Sequence, residues 1–160
     1  MGRILVHEFI TLDGVIEDPR WTFDYPFDPR MGEAIGGMMG DSKAILLGRR
    51  TYEQFAPAWS GRTAEDDPGA PFMNETPKYV VSGTLENADW SNSAILGAYS
   101  AESIRSLKGE VDGDIYVAAA ARSFARCSRT DSSTGCTCSC SRSCSVRGSG
   151  CSTKAQKAWW

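Results

Sequence analysis

Along the first three quarters of the chain, apolar residues fall into short blocks separated by turn-forming residues. "RILVHEF" (Arg3 to Phe9) is apolar or β-branched and runs into the turn "TLDG", the pattern of a buried first strand. "DPRMGEAIGGMMGDS" reads as a helix with Asp28 as N-cap and Pro29 at its first position. "KAILLG" is a second strand, and "RRTYEQFAPAW" a short helix expected to end before Pro57. The acidic stretch "SGRTAEDDPGAP" reads as a loop into a third strand, "KYVVSGT". "SAILG" is a further strand, and "SAESIRSLKGE" a helix with Ser100 as N-cap and Glu102 in its first turn. "GDIYVA" is the last apolar strand before the pattern stops at Ala118.

Strands alternating with helices in this order predict an α/β sheet with parallel pairs. Such sheets bind ligands beyond the carboxyl ends of their strands. There the sequence places "TLDG", "GRRTYE" and "SGTL". At 160 residues, the chain has room for one domain with a substantial core. It has no run of about 18 apolar residues, so no membrane span is expected. "MGRILVHEFI" lacks the features of a secretory signal, and a cytoplasmic location is the expectation.

Composition changes this picture only at the end. Residues 119–160 hold seven Lys and Arg and one acid, Asp131, whereas residues 1–118 hold 10 basic and 19 acidic residues. A body of charge −9 thus joins a tail of +6, and all six cysteines lie in that tail. The expected organisation is a body, 1–118, and a Ser/Cys/Arg-rich segment, 119–160.

The body's segments "EFITLDGVIE", "ILLGRRTYEQF", "KYVVSGTLE" and "GDIYVA" together resemble the dihydrofolate reductase superfamily. The closest resemblance is to stand-alone bacterial proteins related to the C-terminal reductase domain of riboflavin biosynthesis. The resemblance implies a mostly parallel, dihydrofolate reductase-like mixed sheet flanked by helices, NADPH as cofactor, a homodimer, and hydride transfer to a small heterocyclic or carbonyl substrate. For the cofactor it points to Gly48, Arg49, Thr51 and Ser82. Gly48 allows close approach of a phosphate, Arg49 brings charge, and Thr51 lies in a helix's first turn, where free N–H groups favour an anion. Ser82 resembles the position that meets the adenosine 2′-phosphate, and Asp13 and Gly14 the mobile loop over the nicotinamide. Gly83 stands where this family often has an arginine, a natural partner for a 2′-phosphate. Asp13 and Asp28 are the candidate catalytic acids.

The same residues have plainer readings. "GRRT" also suits a solvated helix start, and Asp13-Gly14 is also a good turn pair. Trp21, Phe23, Tyr25 and Phe27 alternate, and either line a substrate pocket, with Trp21 and Tyr25 as contacts, or cover the sheet. His7, the only histidine, reads as a packed or surface residue, because a metal site needs partners that the body lacks.

The tail segment "CTCSCSRSC" has three functional readings: a zinc or copper(I) site, a disulfide framework, or part of a basic segment binding nucleic acid. Its C-x-C-x-C-x3-C spacing suits none of them well. A metal-binding or redox protein acting through these cysteines is the alternative to the reductase. A genetic reading fits better. If the tail is read one nucleotide out of frame, every Cys codon becomes Leu, Val or Met, and every TC-type Ser codon becomes Leu, Val, Ile or Phe. A permitted decoding from Ala119 is "GSGTLVRALLADGLVDGLHLFVFPLVLGS": a glycine loop, an amphipathic helix and an apolar strand. The resembled family places those elements after "GDIYVA". The expectation is a reductase fold truncated by an aberrant tail, with no nucleic-acid, membrane or metal partner.

Overall fold

The computed structural model describes residues 2–13, 15–16, 22 and 24–118. Among the described residues, five strands and four helices follow in the order β1 (Ile4–His7), α1 (Pro29–Asp41), β2 (Ser42–Gly48), α2 (Arg49–Trp59), α3 (Ala70–Glu75), β3 (Lys78–Val81), β4 (Ser93–Gly97), α4 (Ala101–Glu110) and β5 (Asp114–Ala118). The strands form one sheet in the order β1-β5-β2-β3-β4, and every described pairing is parallel. This is the α/β, dihydrofolate reductase-like arrangement expected from the sequence.

Alternation along the strands builds two cores. Ile4, Val6, Ala44, Leu46, Ile115 and Val117 pack with Ile104 and Leu107 of α4 on one face. Ile45, Leu47, Val80, Tyr116 and Ala118 pack with Tyr52 of α2, Met73 of α3 and Trp90 on the other. Both faces are covered, so β2 and β5 read as nearly continuous apolar runs, as buried parallel strands do. The chain moves one way across the sheet through α1, α2 and α3, and returns from β4 to β5 past α4. Right-handed crossovers then put α4 on the opposite face from the other helices.

Local chemistry sets the ends of the elements. Asp28 caps α1 as expected, accepting the Arg30 backbone N–H at 2.9 Å. Ser100 caps α4, accepting from the Ser103 N–H at 2.9 Å. At the amino ends of β1 and β5, Asp114 takes Arg3's backbone N–H at 2.6 Å and its Nε at 3.0 Å, fastening the two strands. Gly113 has φ 149°, and a Cβ there would lie 2.4 Å from the Lys43 side chain.

Three expectations about element bounds are corrected. The first strand is shorter than Arg3 to Phe9, because pairing with β5 ends at His7↔Ala118. The helix after β2 does not stop before Pro57 but continues to Trp59. Proline there removes only the donor that would meet the exposed Glu53 carbonyl one turn earlier. The loop assigned to the acidic stretch closes in α3, a six-residue helix with proline at its start, too short to leave a periodic signal. The segment 119–160 lies outside the described residues.

Candidate active site

The carboxyl ends of β1, β5, β2 and β3, at His7, Ala118, Gly48 and Val81, lie side by side along one edge. Gly48 ends β2, pairs with Val81 and serves as N-cap of α2, with φ −82° and ψ 159°. Its lack of a side chain leaves the first turn of α2 without a side-chain cap. The N–H groups at such a helix start have no partner within the helix itself. Arg49 is half-exposed and meets Glu53 one turn on, Nη1 to Oε1, at 3.2 Å. Thr51 is buried in the same turn.

Ser82 continues from β3, and its backbone N–H donates to the Gly97 carbonyl at 2.8 Å. Its buried hydroxyl accepts from the N–H groups of Thr84 at 3.1 Å and Leu85 at 2.9 Å. With both lone pairs used, the hydroxyl proton is left as a donor. At Gly83, where the resembled family often has arginine, a Cβ would make a tight contact with the Ala98 Cβ, at 3.3 Å.

The remaining expected site residues divide. Asp13 is exposed in a tight turn. It accepts from the Thr11 hydroxyl at 2.5 Å, and that bond lowers its pKa. In the same turn the Val15 N–H donates to Thr11 Oγ1 at 2.8 Å, and Leu12 stands 82% exposed. Asp28 caps α1, and the Arg30 guanidinium donates to it through Nε at 3.0 Å and Nη2 at 2.6 Å. Those bonds lower its pKa to about 2, so Asp28 is an anion suited to capping and a poor proton donor. Tyr25 and Phe27 are 69% and 60% exposed. Gly14 and Trp21 lie outside the described residues.

A polar hub behind the edge was not foreseen. Lys78, fully buried at the start of β3, donates from Nζ to the carbonyls of Met73, Asn74 and Thr76 at 2.8, 3.1 and 2.9 Å. Its ammonium also lies 4.6 Å from the Trp90 ring centroid. Asn74 Nδ2 donates to the Trp59 and Arg62 carbonyls, both at 3.0 Å, while its Oδ1 accepts from the Trp90 indole at 2.8 Å. The Tyr52 hydroxyl accepts the Trp90 backbone N–H at 2.9 Å. These bonds tie the far end of α2 to α3, β3 and the β3–β4 connection, while the Gly48↔Val81 pairing sets Gly48 beside the end of β3.

At the other end of the edge, His7 is 8% exposed and its Nδ1 lies 3.1 Å from the Tyr116 hydroxyl. Phe9 meets the imidazole edge-on at 4.7 Å, and Phe72 meets the Tyr116 ring at 5.6 Å. Burial lowers the His7 pKa and raises that of Tyr116. A separate cavity of about 210 Å³ between α4 and strands β3 and β4 contains none of the expected site residues.

A parallel sheet, a helix start with an arginine in its first turn and a serine hydroxyl at the next strand end meet at one end of this α/β protein. The chain belongs to the RibD C-terminal domain family, whose model matches residues 3–121. No curated protein matches the chain. Membership supports a riboflavin-pathway, reductase-like function. The match ends three residues beyond β5, where the composition changes. Among the described residues, no helix is long and apolar enough to cross a membrane.

Proposed function

We propose that residues 1–118 are the body of an NADPH-dependent reductase that passes hydride to a small heterocyclic or carbonyl substrate. The observation that carries this reading is the meeting of the α2 start with Ser82 at one end of the sheet, in a chain of this family. The N–H groups at the start of α2 would receive the pyrophosphate. Arg49 and the proton of Ser82 would meet further phosphate oxygens, with Arg49 turning from Glu53 to do so. NADPH would supply the hydride, and the protein its position. Asp13 and Gly14 would lie over the nicotinamide, and Trp21 and Tyr25 beside the substrate. No proton donor is assigned to Asp28, whose carboxylate is held ionised.

We further propose that residues 119–160 are translated out of frame. Ala118 leaves the sheet between the ends of β1 and β2. The printed sequence continues with Ala119, Ala120 and Ala121, where the decoded frame has Gly-Ser-Gly. Alanine side chains there would obstruct close backbone approach to a pyrophosphate.

The test is NADPH binding, followed by quenching of tryptophan fluorescence, in the chain as written and in a version with the frame restored from codon 119. The restored protein is expected to bind, Arg49→Ala in it to weaken binding about tenfold or more, and the chain as written to bind far more weakly. A restored protein that ignores NADPH would refute the cofactor reading. Equal binding by both forms would refute the role given to the tail.

A further inference from the structure

Helix α4 covers its face of the sheet unevenly. Ile104 and Leu107 are buried against the residues of β1, β5 and β2, whereas Tyr79 of β3 and Leu96 of β4 are only partly buried beside that cluster. Ser103, Ser106, Leu107 and Glu110 recur at i, i+3, i+4 and i+7, which puts them on one stripe of α4. That stripe, with Tyr79 and Leu96, lines the cavity of about 210 Å³. The serines are too short to fill it, and larger apolar residues at their positions would close it.

The lining has a preference. Tyr79, Leu96 and Leu107 give an apolar wall. A cavity of about 150 Å³ is enough for benzene, so one six-membered ring fits this one. Glu110 is the one charged residue among the six that line it. The Ser106 hydroxyl donates to Glu110 Oε1 at 2.8 Å, and a carboxylate with one such bond keeps lone pairs for further donors. The Ser103 hydroxyl donates to the Ser100 carbonyl at 2.9 Å. Both serine protons are thus directed to acceptors of the protein, and the stripe offers a ligand acceptors. Glu110 also ends α4, where the helix dipole favours a cation. Lys108, the basic residue of that last turn, is buried and does not line the cavity.

We propose that this cavity binds a small organic cation, a single ring carrying an ammonium group. The ring lies against Tyr79, Leu96 and Leu107, and the ammonium meets the Glu110 carboxylate. The site is separate from the start of α2 and from Ser82, and it stands whether or not the reductase reading holds.

The full chain is titrated with benzylammonium, and with benzyl alcohol and benzoate as neutral and anionic counterparts. Calorimetry gives the affinity, and the methyl ¹H–¹³C signals of Leu96 and Leu107 locate the ligand. Benzylammonium should bind saturably and shift both sets of methyl signals. Benzyl alcohol should bind roughly fivefold more weakly, the worth of one partly exposed charge pair, and benzoate more weakly still. Glu110→Gln should bring benzylammonium down to the affinity of benzyl alcohol and leave benzyl alcohol unchanged, a split that a general loss of structure does not produce. Ser106→Leu, at an exposed position, should remove binding of both by filling the cavity. If that variant fails to unfold cooperatively in urea, Glu110→Gln and the three ligands decide. No saturable response to benzylammonium, equal affinity for benzoate, or unchanged benzylammonium affinity in Glu110→Gln would overturn the proposal. Leu96 and Leu107 shifts that grow with protein concentration alone would overturn it too, because a second copy of the chain would then cover this face.

Discussion

Lys78→Met tests whether the hub behind the site is held by its buried ammonium. Pro77 has no N–H to offer the Met73 carbonyl one turn back, so the end of α3 depends on the lysine. Leaving the Met73 and Thr76 carbonyls without that donor costs about 1–3 kcal/mol each. Losing the cation beside the Trp90 ring costs about 1 kcal/mol more. Relief of the ammonium's own burial returns a few kcal/mol. The net expectation is a loss of about 2–3 kcal/mol, the balance of those three contributions. Urea unfolding followed by tryptophan fluorescence measures it. The same residue has a pH signature. Burial lowers the Lys78 pKa from 10.5 to about 8, so between those values the unfolded chain binds more protons than the folded one. Stability should therefore rise with pH from about 8 to 10. Above about 10 the raised pKa of Tyr116 acts in the opposite direction, because the unfolded phenol ionises first. Lys78→Met should abolish the rise and keep the decline. Unchanged stability in the variant, or parallel pH curves for the two proteins between pH 8 and 10, would refute this account of the hub.

Two other outcomes are expected. Asn74→Ala removes the donor to the Trp59 and Arg62 carbonyls and the acceptor of the Trp90 indole, and should cost about 2–3 kcal/mol in the same unfolding assay. Since burial lowers the His7 pKa below 6.5, the unfolded chain takes up a proton first on acidification, and stability should fall as pH drops through 6.5; unfolding of the unaltered chain and His7→Gln at pH 7.5 and 5.5 should show the loss only in the former.

The parts of the fold legible in sequence were those with a strong local signal. β2 and β5 are apolar on both faces, and Asp28-Pro29 and Ser100 mark helix starts by their own chemistry. What escaped depends on partners distant in sequence. Lys78 looks like a charged residue opening a strand, yet it is fully buried and its ammonium meets the backbone carbonyls of Met73, Asn74 and Thr76. His7 alternates with apolar neighbours like any packed residue; only Tyr116, 109 residues later, reveals its unpaired nitrogen. Asp28 was named as both a cap and a candidate acid, and the Arg30 guanidinium beside it favours the first role. Arg49, Thr51 and Ser82 were named from the family resemblance, and the structure places the first two in the opening turn of α2 and the third just after β3.

If residues 119–160 are out of frame, as proposed above, the sheet order determines what that change does. β5 is last in sequence among the described strands but lies between β1 and β2, flanked on both sides. A reading-frame change just after it leaves all five strands with their own sequence and both cores with their own residues. It replaces the residues that follow Ala118, whose strand ends between His7 on one side and Gly48 with Arg49 on the other. Had β5 been an edge strand, the same change would have fallen beside the site. Because β5 is inserted, the change would fall within the proposed site. Cofactor binding should therefore be lost at a smaller perturbation than folding of the body, with urea unfolding still cooperative in a chain that no longer responds to NADPH.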